Sequence, residues 1–181
     1  RESGVTRVTP ARRSAPVGAV MRALSRAIAG LELPAVEKIS EQQRRDPFQI
    51  LIATLLSART QDATTHAAST RLFRAARTPR TMAKLTVPQI EKLIYPVSFY
   101  RHKARNVKAA CRMLIERFDG LVPGTMEDLV SLPGVGRKTA NVVLNCWFGQ
   151  ETFAVDTHIF RVGNRTRLAP GKTVLAVEKK L

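Results

Sequence analysis

The residues with the clearest capacity for chemistry stand in one short run, Leu132 to Lys138, which reads LPGVGRK, and in a carboxylate further along, Asp156. Gly134 and Gly136 flank a single apolar residue, Val135, in a tight hairpin between two helices. Glycines there allow positive φ and leave no side chain between the backbone and a ligand. The second helix starts at once, so its first N–H groups and the positive end of its dipole point outward, where an anion is favoured. Val135 is placed to plug the hairpin into the core, and Arg137 adds a cation beside it. This predicts a helix-hairpin-helix clamp on a phosphate backbone, made of Gly134, Val135, Gly136 and Arg137. A Gly-x-Gly pair alone is more often a plain turn; Pro133, the amphipathic helices on both sides and a strongly basic chain favour the clamp here.

Lys138 differs from the other lysines, which read as solvated surface charges. In the first turn of a helix its positive charge opposes the dipole, which favours the free amine. A neutral amine beside a bound phosphate is a nucleophile aimed at the sugar. Asp156 reads first as the N-cap of THIFRVGNR, a geometry that keeps its carboxylate ionised. An anion near a lysine amine could also activate it, or stabilise positive charge on a sugar ring.

Elements must hold these groups, and the apolar spacing is helical nearly throughout. Val20, Leu24 and Ile28 share a face, and Gly30 lies where that helix would stop. Asp46 before Pro47 is an N-cap with proline at the first helical position, opening the helix of FQILIATLLSA. That run is apolar on every side and is expected to be the central buried helix. Asp62 is read as the cap of the next helix, through about Ala76, and Thr86 with Pro88 starts another that stops near Pro96. Between Tyr100 and Phe118, the residues Ala104, Val107, Cys111, Leu114, Ile115 and Phe118 form one face. Arg101, Lys103, Arg105, Lys108, Arg112 and Arg117 are placed off it, and Gly120 ends the helix. Thr125 with Asp128 is close to a capping box for a short helix through Ser131. A helix from about Arg137 to Trp147 ends at Gly149, Asp156 caps one more, and Thr173 begins the last. No alternation bounded by turns suggests a strand, so the class is all-α.

Thirty Lys+Arg against 14 Asp+Glu leave a net charge of +16 on 181 residues. Such an excess implies a polyanionic partner. Basic residues are spread along the chain with acids interspersed, which fits a folded protein with a basic face better than a basic tail or a membrane-surface helix. No stretch approaches the ~20 apolar residues of a membrane span. Residues 1–16 carry charge and proline but no apolar core of a secretory signal, and read as a mobile basic arm. Cys111 and Cys146 each sit in a helical apolar pattern and read as reduced core thiols.

LPGVGRKTANVVLN followed by FAVDTHIFRVGNRT resembles the helix-hairpin-helix and following Asp segment of the endonuclease III family, within the helix-hairpin-helix, Gly/Pro-rich loop, Asp superfamily of DNA glycosylases. The likeness extends upstream through DPFQILIATLLSARTQD and SFYRHKARNVKAACRML. It implies a bifunctional DNA glycosylase/AP lyase of base excision repair that removes oxidised pyrimidines flipped from the duplex. Lys138 would be the Schiff-base nucleophile, Asp156 the assisting carboxylate, and the partner double-stranded DNA with damaged bases or abasic sites. The DNA-facing set would also include Arg59, Asp62 and Phe99. Most relatives carry Gln in place of Arg59, where it fills the gap left by the flipped base, and a wedging Leu in place of Phe99. A surface charge and a core aromatic are the plain readings of these two. The family also implies a 4Fe-4S cluster, whose cysteine ligands would lie beyond Leu181, so that no metal ligand set is expected in this chain.

The implied fold is two helical lobes: a mobile arm at 1–16, the N-terminal part of a terminal lobe at 17–45, a six-helix barrel with the hairpin at 46–150, and the C-terminal part of the terminal lobe at 151–181. The protein is expected to act as a monomer away from membranes, in the cytoplasm on the nucleoid if bacterial and in the nucleus if eukaryotic. Two other functions compete. The adenine-removing branch of the superfamily lacks a lysine at the place of Lys138, and a non-catalytic DNA-binding module would leave Lys138 and Asp156 without a role.

Overall fold

The computed structural model of the chain describes residues 17–30 and 46–181, and all regular structure among them is α-helical. The basic arm expected at 1–16 lies outside the described residues, as do residues 31–45. The chain divides into two compact units, Glu32–Ala154 and Arg1–Leu31 with Val155–Leu181. In the second of these, α1 (Val17–Ile28) turns Val17, Met21, Leu24 and Ile28 to solvent, and Gly30 follows with φ +88°.

The larger unit is built around α2 (Pro47–Ser57). Asp46 caps it, accepting the Phe48 N–H at 2.9 Å, and Pro47 takes the first helical position, where a missing N–H leaves no bond unmade. Every residue from Phe48 to Leu56 is buried, each fully buried Leu or Ile contributing about 1.5–3 kcal/mol. A helix apolar on all sides needs neighbours on all sides, and α2 has them in α3 (Asp62–Ala75), α6 (Tyr100–Phe118) and α8 (Arg137–Cys146). Two short helices, α4 (Pro79–Lys84) and α5 (Val87–Ile94), pack on α6, and α7 (Met126–Ser131) leads into the hairpin before α8.

Most expected caps are present: Thr86 exchanges side-chain bonds with Gln89, and Thr125 accepts the Asp128 N–H while donating to its carboxylate. Asp62 differs from expectation. Gln61 is the extended residue before α3, and Asp62 is its first helical residue, acting on the dipole rather than as a cap. The α4 helix was not foreseen. Thr78 and Thr81 satisfy each other's backbone N–H groups there, a capping box closed by threonine instead of the usual Glu or Gln.

The basic residues of α6 also depart from expectation. Arg101, Arg105, Arg112 and Arg117 are exposed, but Lys103 is buried, and Lys108 points inward to the Ala83 and Leu85 carbonyls at the end of α4. Lys103 stands four residues before Val107 and seven before Ala110, on the buried stripe itself. Helix C-terminal carbonyls lack intrahelical donors, and a lysine stem long enough to reach them carries its charge into the core.

Candidate active site

Leu132 closes α7 by donating its N–H to the Leu129 carbonyl, and the chain then turns through Pro133, Gly134 and Val135 into α8. Val135 is 5% exposed and belongs to the core, as its place between two glycines predicts. Its N–H returns to the Leu132 carbonyl at 3.0 Å. The two glycines have different tasks. Gly134 has φ +80°, whereas Gly136 has φ −93°, ψ 173° and serves as the extended N-cap residue of α8. A Cβ on Gly134 would stand 2.6 Å from Asn106 Nδ2 and 2.9 Å from Asn106 Cβ, while one on Gly136 would meet nothing within 4 Å. The fold therefore demands glycine at 134 but leaves room for a side chain at 136.

This difference separates folding from binding. Gly134→Ala should destabilise the protein by about 1–3 kcal/mol, from left-handed backbone strain and crowding of Asn106. Gly136→Val should fold normally yet weaken binding to every duplex alike, because a clamp on phosphates reads no sequence. Urea unfolding and salt-dependent duplex titration of both variants check this; a loss confined to one base sequence would count against the clamp.

Lys138 is the second residue of α8 and is exposed, one residue after exposed Arg137. Behind it Ala140, Val143 and Leu144 fix the helix in the core. Two asparagines tie the following segment along α8. Asn141 Nδ2 donates to the Phe153 carbonyl at 3.1 Å, Thr152 Oγ1 donates to the Asn141 carbonyl at 2.8 Å, and Asn145 Nδ2 bonds the Gln150 and Thr152 carbonyls. Sequence reading missed these ties, which hold an irregular segment without strand or helix.

In the smaller unit, Asp156 is half-buried and caps α9 (Thr157–Thr166). One of its oxygens, Oδ1, accepts the N–H groups of His158 at 2.9 Å and Ile159 at 3.0 Å. Val155 before it packs with Ala169, Val177, Ile159 and Phe160 in a small core, and α10 (Val174–Glu178), capped by Thr173, packs on α9. Asp156 is thus carried at a fixed helix start.

Arg59 and Phe99, far apart in sequence, are brought together. Both are left-handed, with φ +55° and +56°, and the Arg59 guanidinium lies 5.9 Å from the centre of the Phe99 ring, within cation–π range. Phe99 is 63% exposed, so the reading as a core aromatic is wrong: its backbone ends a tight turn before α6, and the ring projects from it. Asp62 is exposed nearby in sequence, at the start of α3.

Beneath these loops lies Lys103. Its Nζ donates to the Leu56 carbonyl at 2.8 Å, the Ala58 carbonyl at 2.6 Å and Thr60 Oγ1 at 3.1 Å. Burial draws its ammonium from an ordinary 10.5 down to about 8. Between those values the unfolded chain binds more protons than the folded one, so this group makes the fold more stable as pH rises from about 8 to 10.5. Relative to Lys103→Met, which has no such proton to release, the protein should gain on the order of 2–3 kcal/mol across that window in urea unfolding.

Among the described residues no three His, Cys, Asp or Glu side chains gather as a metal site. The Cys111 thiol is buried in the core and pushed up to about 12 by that burial, against the pull of the Lys108 charge, and the sequence has two cysteines where an iron–sulfur cluster takes four. The described residues therefore do not fit an iron–sulfur cluster. No helix among them is long and apolar enough to cross a membrane.

Residues 52–181 match the model of the HhH-GPD superfamily base excision DNA repair protein. The chain is similar to endonuclease III of Escherichia coli strain K12, at 51% identity over 135 residues, which are 75% of this chain and 64% of that protein. It therefore spans just under two thirds of that relative's length. Endonuclease III of Haemophilus influenzae is 48% identical over 142 residues, 78% of this chain and 67% of that one. Among solved structures, a trapped endonuclease III–DNA covalent intermediate, an estranged-adenine complex, matches with a TM-score of 0.71 and 39% identity over 81% of this chain and 73% of its own. A hairpin whose second glycine is left open, an exposed lysine in the helix it starts, and a family match that runs from the central helix to the last residue agree: the chain belongs to the HhH-GPD superfamily of base excision DNA repair proteins.

Proposed function

We propose that this chain carries the chemistry of a bifunctional DNA glycosylase/AP lyase acting on duplex DNA with oxidised pyrimidines or abasic sites. The observation that carries the proposal is the position of Lys138, exposed in the first turn of the helix that the hairpin starts. Amide N–H groups at that helix start, with Arg137, would hold a phosphate of the DNA backbone. That anchors the neighbouring sugar within reach of Nζ.

The unprotonated Lys138 amine attacks C1′, and the C1′–N bond to the damaged base breaks, its electron pair leaving with the base. The nitrogen loses a proton and the ring oxygen takes one as the ring opens, leaving a Schiff base between Nζ and C1′. Loss of a proton from C2′ then expels the 3′ phosphate with the C3′–O pair, cutting the strand, and water releases the lysine. Asp156 stabilises positive charge as the base departs. Its cap bonds from His158 and Ile159 fix the carboxylate at the helix start. Arg59 and Phe99 enter the duplex at the lesion, Phe99 as the wedge and Arg59 toward the base left without a partner.

No step runs through a metal cluster. Borohydride reduction during reaction with a duplex containing thymine glycol tests the reading, since only a Schiff base leaves a covalent protein–DNA adduct. Base release without adduct would instead indicate a hydrolytic glycosylase, and binding alone a non-catalytic module.

A further inference from the structure

Lys103 is the one buried lysine among the described residues, and the proposed chemistry gives it no part. Its three bonds converge on one short stretch: the last turn of α2, through Leu56, and the loop after it, through Ala58 and Thr60. Thr60 Oγ1 also accepts the backbone N–H of Ser98 at 3.3 Å. One hydroxyl therefore joins two loops separated by nearly forty residues, and the lysine holds that hydroxyl from below. Each loop carries one left-handed residue at its exposed tip, Arg59 directly before Thr60 and Phe99 directly after Ser98, and the guanidinium of the one lies over the ring of the other. A buried ammonium is costly unless its donors are satisfied. Here the carbonyls that satisfy it belong to the strained turn that presents Arg59.

Building on the assignment of Arg59 and Phe99 to lesion recognition, we propose that Lys103 is a positioning residue: through Thr60 and Ser98 it locks the two loops together, so that Arg59 and Phe99 enter DNA as one element. A left-handed arginine is maintained only where surrounding bonds over-determine it. Removing the lysine leaves the Ala58 carbonyl and Thr60 with only the long bonds at 3.3 Å, from the Thr60 hydroxyl to Ala58 and from Ser98 to Thr60, and the tip loses its defined geometry while the phosphate clamp on another hairpin is untouched.

The test is the affinity for a duplex holding a stable abasic-site analogue divided by that for the same duplex undamaged, measured on the intact protein at fixed salt. Lys103→Met should lower this ratio roughly tenfold, the scale of a small misplacement at a recognition site, with affinity for undamaged duplex changed less than about twofold. Thr60→Val, which keeps the lysine but cuts the link to Ser98, should lower it likewise, and Thr60→Ser should restore it. If Lys103→Met does not fold, as circular dichroism would show, the Thr60 pair decides the matter. Arg59→Ala and Phe99→Ala, which remove the side chains instead of installing the relatives' own residues, distinguish two failures. If neither changes the ratio, the recognition assignment falls and the positioning role with it. If both lower it while folded Lys103→Met or Thr60→Val leaves it within twofold of the parent, the positioning role alone is overturned.

Discussion

Lys138→Gln should leave no borohydride-trapped adduct and no strand cleavage, a loss of at least roughly 10³-fold, the scale on which deleting a reacting group acts. Glutamine keeps most of the length and a polar end but has no amine to form the Schiff base. The fold should stay intact. Lys138 is exposed in the first turn of α8, and removing a cation from the positive end of a helix changes stability by about 0.3–1 kcal/mol in the favourable direction. Duplex binding should also persist, because the hairpin amides remain and one cation among 30 is lost. The salt slope should change by at most about one unit. Trapping that continued at the parent rate would show that another amine of the chain is the nucleophile and would overturn the assignment.

The second large effect is expected at Asp156, where structure and chemistry make demands on the same side chain. Its Oδ1 accepts the N–H groups of His158 and Ile159, and an asparagine carbonyl oxygen accepts the same two bonds. Asp156→Asn should therefore keep α9 capped, with stability within about 0.5 kcal/mol of the parent, while Asp156→Ala should cost about 1 kcal/mol, the usual value of a lost cap. Catalysis should fall in both by about 10²–10⁴-fold, since neither variant supplies the negative charge. Single-turnover base release combined with thermal unfolding separates the two effects. If Asp156→Asn turns over normally while Asp156→Ala is impaired only as far as it is unfolded, the residue is a cap and nothing more.

What the amino-acid sequence determined by itself is what depends on a few neighbouring residues. The caps at Asp46, Thr86, Thr125, Asp156 and Thr173 were legible because a cap bond spans two or three residues. So was the hairpin with Val135 as its plug, and so was the central position of α2, whose every face is apolar. Lys138 and Asp156 were singled out for the same reason: each is defined by its place at the start of a helix. Even locally there were misses. Residues 79–84 are too few to show a helical period, and Asp62 was taken for the residue one position before it.

Tertiary structure alone decided the rest. Whether a lysine is a surface charge or a buried tie depends on which acceptors converge on it, and those meeting Lys103 come from 43 to 47 residues away. Nor does local sequence distinguish Gly134 from Gly136, because the difference is Asn106 on another helix, crowding one position and not the other. Arg59 and Phe99 read as separate departures from a family pattern, DNA-facing by resemblance, with a surface charge and a core aromatic as the plain alternatives. Only folding placed the guanidinium over the ring, because a left-handed arginine and a left-handed phenylalanine persist where distant bonds, not local preference, hold the backbone.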